Sequence, residues 1–541
     1  MTLATAELSP VPTEEGQLQR SISWTGAFWV ASGVPPLVLF SIGGIAGATG
    51  TPAFAIWTAS MLMGFLQSFV YAEMAGLFPN KSGGSSVYGA AAWMRYARPI
   101  SPLLVWCNWI AWTPVLSLGC TIAAAYILNA LVPDPNAAIR TWTLAAGSFG
   151  PVSFSLNAPF FIGVALMLSA FAVQMRGISG TAQVQRVIGL AVIIPLLIIG
   201  VAPLLQHGVN WSNFTPFVPL AEANKPAPGA WNTTGWTLVL GGMFLAAWST
   251  YAFETSICYT SEFKNPKTDT FKAIFYSGLL CLTIFLLVPF TFQSELGLTG
   301  MLDPSIVDGS GVAAALARMV GGGPIVASAL VMMMIFALLL CLMTAMAGAS
   351  RTLYQGSLDG WLPKYLGRAN RHGAPIAAMW TGLVVNLGLL AIACADSASF
   401  FFILAVSNAG YIIFNFLNLN SGWIHRIDNG HLERPYRAPT ILIAVGTGFG
   451  FVNAVFLGAG AKVWHPWALW AGIVTAGAII PVFLFRHYVQ DRGQFPPQML
   501  HDLGVTRTEA LVSGRRAGLL PYLTLAAGVA TVLLANFLFQ L

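Results

Sequence analysis

Thirteen times along this chain a stretch of about 20 mainly apolar residues recurs, each long enough to cross the hydrocarbon core of a bilayer. The stretches fall near 24–49, 52–74, 101–131, 157–175, 187–206, 235–260, 271–293, 322–349, 375–394, 398–419, 438–460, 466–486 and 518–540. Apolar residues make up 56% of the 541 and charged residues only 8%, so too little polar surface exists to cover a string of soluble domains. The runs are apolar on every side and do not alternate, which predicts helices rather than the strands of a membrane barrel. The expected fold class is an all-α polytopic membrane protein whose first partner is the lipid bilayer.

Lys and Arg in the connecting segments set the expected orientation. With the N-terminus placed in the cytoplasm, the outer segments hold only Arg140, Lys225, Arg318 and Lys462 of the 25 basic residues. The net charge of +6 is thus a topology signal, and it calls for no nucleic-acid partner. An odd number of spans puts the C-terminus outside. Residues 1–23 read as a polar cytoplasmic tail with no removable signal. The expected location is the cell membrane, plasma or inner. All six cysteines fall within or at the ends of spans, where they pack. The seven histidines sit in loops or at span ends without ligand spacing, so no metal site and no cofactor is expected. No phosphate-binding Gly-rich loop is present, which excludes a nucleotide-driven pump. The residues carry no signal for oligomeric state.

Two spans break the apolar pattern. The sixth contains "LAAWSTYAFETSICYTSEFKNPK", residues 245–267, where Ser249, Thr250 and Glu254 stand where hydrocarbon is expected. An ionisable group inside a span is costly and marks function by default. Glu73 lies near a span end and is expected to reach the interface by snorkelling. The first span reads "FWVASGVPPLVLFSIGGIAG", in which Pro35 and Pro36 remove two backbone donors just after Gly33. One half-helix is expected to end near Ser32–Gly33 and another to start near Pro35. Interruptions at corresponding positions of two five-helix blocks point to inverted repeats with a binding site between them. Half-helix N-termini suit a carboxylate, and C-terminal carbonyls suit an ammonium group or a sodium ion.

These residues resemble those of the amino acid–polyamine–organocation transporter superfamily. The resemblance is carried by "WSTYAFETSICYTSEFKNPKTDTFKAI" (248–274), "AEMAGLFPNKSGGSSVYGAA" (72–91), "ASRTLYQGSLDGWLPKYLGRANRHGAPIAA" (349–378) and "LERPYRAP" (432–439), in family order. It implies a LeuT-like 5+5 fold, with inverted repeats at 24–206 and 235–419. Helices eleven and twelve at 438–486, a cytoplasmic loop 487–517 and a further helix 518–541 would follow. It implies a secondary active transporter of an amino acid or related organic amine, proton-coupled or an exchanger, and not an enzyme. The implied substrate-binding residues are Ser32, Gly33, Val34, Pro35 and Pro36 in the first break, and Ser249, Thr250, Tyr251 and Ala252 in the sixth. Trp248 takes the place of an aromatic lid, and Glu254 that of a proton-coupling or gating carboxylate.

The sequence departs from the family twice. The usual first break is a Gly-Ser-Gly-like run rich in free N–H donors, whereas "GVPP" supplies fewer, which favours a carboxylate-free amine. The fifth-helix stretch "VIGLAVIIPLL" lacks the coupling lysine of some members. A sodium-coupled carrier of another small polar solute is the alternative, and it needs hydroxyls such as that of Thr344 beside the first-helix carbonyls. A polytopic membrane enzyme is the remote alternative. Trp106, Trp109 and Trp112 share one helical face and are expected to pack or to mark the interface. Met332–Met334 are expected to pack, and Asn408 and Tyr411 to bond across helices.

Overall fold

The computed structural model describes residues 17–134, 136–150, 152–503 and 514–540. Most of the expected tail, residues 1–16, lies outside the described residues, as does Arg507 in the loop before the last helix. Among the described residues, twelve helices are long and apolar enough to cross a membrane. The first seven spans in chain order are Trp24–Thr49, Ala53–Leu77, Ile100–Leu131, the shorter apolar helix Ala158–Gln174, Ile178–His207, Thr233–Glu262 and Pro266–Met301. Spans eight to thirteen are Pro324–Leu358, Ile376–Ala393, Ser397–Asp428, Thr440–Trp464, Ala468–Gln490 and Leu520–Leu538.

Helix starts follow their local chemistry. Asn157, Asn232 and Asp396 each accept a bond from the backbone N–H three residues on, and so cap the fourth, sixth and tenth spans. Pro266 and Pro324 open the seventh and eighth, where a missing N–H costs nothing. Several helices outrun their apolar stretch: the fifth begins at Ile178, and the tenth runs on to Asp428. Their extra turns carry buried polar groups, among them Gln185, Asn420 and His425, which hydropathy does not register.

The fold is nearly all-helical. Among the described residues the one sheet is a two-stranded antiparallel hairpin, Thr143–Phe149 paired with Val152–Asn157, between the third and fourth spans. Its alternating "VSFSL" lies in a connecting segment, where strand periodicity is not overridden by the bilayer. Gly150 takes φ +54° at the turn, a conformation that favours glycine.

The first and sixth spans lie at the centre. In each, 89% of the most apolar window is buried, against 17% for the thirteenth span on the outside. These two pack on each other, and the second, fifth, seventh, eighth, tenth and eleventh spans close around them.

The face where the chain enters the first span is locked by buried ion pairs. Glu262, at the end of the sixth span, receives two bonds from Arg351 of the eighth, at 2.5 and 2.9 Å. The N–H groups of Ser21 and Ile22 donate to Glu262 O at 2.9 and 3.2 Å, and Lys264 N donates to Ile22 O at 2.8 Å. The start of the first span is thereby tied to the end of the sixth. Lys81 sits between Asp359 at 2.6 Å and Asp502 at 3.1 Å. Burial opposes its charge, yet the two carboxylates outweigh that and hold the ammonium above the usual lysine value.

Glu73 does not snorkel. It is buried, and it accepts from Arg426 at 2.9 and 2.6 Å, from Arg434 at 3.1 Å and from Ala438 N at 2.8 Å. The end of the tenth span and the short loop after it bring these donors to it, which removes the need to reach water. The basic residues of this face therefore do more than set topology, because several are structural counter-ions.

Candidate functional site

Both central spans are interrupted. The first is helical over Trp24–Val30, opens at Ala31–Val34, makes a single tight turn at Pro35–Leu37 and resumes as Val38–Thr49. Its loosened backbone is closely satisfied. Ala31 N donates to Ala27 O, Ser32 N to Trp29 O, Val34 N to Ala31 O and Leu37 N to Val34 O. Gly33 N turns outward to Thr344 Oγ1 on the eighth span, at 3.1 Å. A Cβ on Gly33 would stand 2.4 Å from Leu340 O and 2.5 Å from Thr344 Oγ1, so the eighth span fits only against glycine here. Gly33→Val should lower stability by about 1–3 kcal/mol, read as an earlier thermal unfolding transition in detergent. An unchanged transition would show that the two spans separate freely.

The sixth span is helical over Thr233–Thr250 and tightens into short turns at Ala252–Ile257 and Thr260–Glu262. No proline or glycine forces the change. Side chains on either side of the break are anchored to different neighbours. Thr250 Oγ1 lies 2.8 Å from Ser60 Oγ of the second span, and Tyr251 OH donates to Asn453 Oδ1 of the eleventh at 3.0 Å.

Glu254 is the next anchor. Its carboxylate accepts from Ser85 Oγ at 2.7 Å, Ser85 N at 3.4 Å, Asn108 Nδ2 at 3.2 Å and Trp112 Nε1 at 3.3 Å. Ser85 opens the helix Ser85–Trp93, so the carboxylate faces that helix's N-terminal dipole. Asn108 and Trp112 are one turn apart in the third span and reach it together. One buried acceptor thus joins three elements.

Beside the two breaks lies a small internal cavity of about 10 Å³, roughly the space a single water needs. Leu37 of the first span and Ala111, Trp112 and Val115 of the third form part of its wall. Trp248 and Ala252 of the sixth and Tyr411 of the tenth complete it. The Trp248 indole N–H is shared between Ala111 O and Ser407 Oγ, both at 3.1 Å, and its ring stands 6.2 Å from that of Phe40.

Of the substrate-binding residues expected from the sequence, Trp248 and Ala252 line this cavity. Ser32, Gly33, Val34, Pro35 and Pro36 are buried in the adjoining break without forming its wall. Ser249 Oγ lies 3.5 Å from Ser41 Oγ, while Thr250 and Tyr251 bond to the second and eleventh spans. Leu37, Ala111, Trp112, Val115 and Tyr411 were missed as wall residues. The tryptophan stripe divides: Trp106 donates to Thr475 O at 2.8 Å and stacks near Trp109, whereas Trp112 turns inward. The available signal was Asn108, a polar residue four positions before Trp112 on the same face.

A third feature is a polar knot against the first break. Thr344 Oγ1 donates to Val30 O at 2.6 Å, and Gln185 Nε2 of the fifth span donates to Thr344 Oγ1 at 3.0 Å and to Val30 O at 3.2 Å. Gln185 precedes the stretch searched for a lysine, so its neutral amide escaped notice.

Comparison with known proteins agrees with this architecture. The branched-chain amino acid permease BcaP of Lactococcus lactis subsp. cremoris is 26% identical over 303 residues, 55% of this chain and 60% of that protein. The lysine-specific permease LysP of the same organism is 25% identical over 414 residues, 75% of each. Its arginine/ornithine antiporter ArcD1 is 27% identical over 237 residues, 40% of this chain and 42% of the other. The match thus spans less than two thirds of the length of BcaP and of ArcD1. The amino acid permease family model matches residues 22–479, most of the chain and all the spans described above except the last two in part or whole. A multi-pass membrane chain with two interrupted central helices, matched over that length, belongs to the amino acid permease family.

Proposed function

We propose that the chain carries an amino acid or a related organic amine across the cell membrane by alternating access, as a secondary transporter. In this reading, residues 24–206 and 235–419 are inverted five-helix repeats, and the first and sixth spans rock against the rest. The observation that carries it is the cavity, which is walled by the first, third, sixth and tenth spans beside both interruptions. The ion pairs of Glu262, Lys81 and Glu73 close the face at the chain's start, taken as cytoplasmic from the distribution of Lys and Arg. The cavity is too small for a solute, so in this reading the spans part to admit one.

Glu254 supplies a coupling device. Proton uptake would turn one acceptor oxygen into a donor facing donors, which loosens the joint between the Ser85 helix, the third span and the sixth. In uptake assays on proteoliposomes, Glu254→Gln should reduce the rate by about tenfold, the value of one charged hydrogen bond, and flatten its pH dependence. A wild-type rate and pH profile would remove Glu254 from the mechanism.

The sodium-coupled alternative requires a helix-eight hydroxyl beside the first-helix carbonyls, and Thr344 stands there. The Gln185 nitrogen already occupies those oxygens as a donor, however, which a cation would have to displace. We therefore favour proton coupling or exchange. Uptake in the same assay should be unchanged when potassium replaces sodium, and its loss would favour sodium.

A further inference from the structure

We propose that the cavity selects an organic ammonium ion bearing no carboxylate, an amine rather than the zwitterionic amino acid related to it. The inference rests on the transport reading above and narrows its cargo.

A carboxylate entering a buried site must exchange its water for N–H or O–H donors. In a broken membrane helix the obvious donors are the free N–H groups where the second half begins. Here that supply is closed off. Ala31, Ser32, Val34 and Leu37 bond within the span, and Gly33 bonds to Thr344. Pro35 and Pro36 have no N–H, and Val38 N bonds back to the carbonyls of the tight turn. From Ala31 to Val38, each backbone donor is therefore absent or used.

The side chains of the wall offer little more. Trp248 Nε1 is shared by Ala111 O and Ser407 Oγ, and Trp112 Nε1 is held by Glu254. No Lys, Arg or His belongs to the wall. Tyr411 OH is the remaining polar side-chain group of the wall, and it has no hydrogen-bond partner among the described residues. One hydroxyl does not replace the hydration of a carboxylate.

A cation meets the opposite situation. The rings of Trp112, Trp248 and Tyr411 bring three aromatic surfaces to a space otherwise walled by Leu37, Val115 and two alanines. Ring faces attract an ammonium, most strongly once it is desolvated. Behind Trp112, one hydrogen bond away, stands the Glu254 carboxylate, and no Lys or Arg pairs with it among the described residues. When deprotonated, this carboxylate favours a positive guest and opposes an anionic group. The small apolar wall suits a short alkyl or aryl chain, admitted when the spans part.

The test uses the purified full-length protein and two matched pairs: leucine with 3-methylbutylamine, and phenylalanine with 2-phenylethylamine. Each pair differs only in the carboxylate. Calorimetric titration should show each amine binding at least about tenfold more tightly than its amino acid, with amine binding weakened about 30-fold or more by Trp248→Ala. Equal or tighter binding of the amino acids, or no binding by either amine, would overturn the inference. If the amino acids bind better and Trp248→Ala abolishes that binding, the cavity remains the transport site and only its selectivity is refuted. If binding of both classes is unaffected by Trp248→Ala, the cavity reading falls and takes this inference with it.

Discussion

Trp248→Ala is expected to weaken substrate binding by about 30-fold or more, the equivalent of about 2 kcal/mol for a buried aromatic contact with a cation. The ring is 3% exposed, forms part of the cavity wall and braces Phe40, so no other side chain can supply its face. The same truncation opens a void and costs about 3–5 kcal/mol of stability, which makes a folding control necessary. Trp248→Phe serves that purpose. It keeps an aromatic face and gives up only the indole N–H shared by Ala111 and Ser407. The phenylalanine variant should elute as a monodisperse protein and bind within a few-fold of wild type, while the alanine variant, assayed at a temperature where it remains folded, does not. Wild-type affinity in the alanine variant would exclude Trp248 from the site.

Arg351→Met is expected to destabilise the protein by about 3–5 kcal/mol, because it leaves the Glu262 carboxylate buried without a counter-charge. Both side chains are 1–2% exposed, and the two bonds between them join the ends of the sixth and eighth spans. The backbone bonds from Ser21 and Ile22 converge on Glu262 as well, so the loss should also loosen the start of the first span. The double variant Arg351→Met, Glu262→Met should recover much of the stability, since a buried ion pair contributes little beyond an apolar pair of similar size. Thermal unfolding of the three proteins side by side measures this. A single variant that melts with the wild type would mean that water reaches Glu262.

The membrane architecture was legible because a bilayer imposes a length and a hydropathy on every crossing. The resulting stretches coincide with helices throughout, although polar turns such as those carrying Asn420 and His425 extended them unannounced. The break in the first span was legible because Pro35 and Pro36 act through the backbone itself. The break in the sixth was read from Ser249, Thr250 and Glu254, but its cause lies in partners distant in sequence, such as Ser60 and Asn453. The cavity wall was the least legible part. Leu37, Val115 and the alanines look like any lipid-facing residue, and only packing makes them a wall. Glu73 and Arg351 show the same limit for charge. A run of residues reveals that a charge is present, while its counter-ion arrives from a span far away in the chain, 89 positions for Arg351 and 353 for Glu73.

The account's central claim is that the two interrupted spans and their neighbours enclose the substrate. A density map of the purified protein saturated with 2-phenylethylamine tests it most directly. The account predicts density for the amine between Leu37, Trp112, Trp248 and Tyr411, with the first span open at residues 31–34 and the sixth tightened after Thr250. Two continuous helices, with the amine elsewhere, would contradict it.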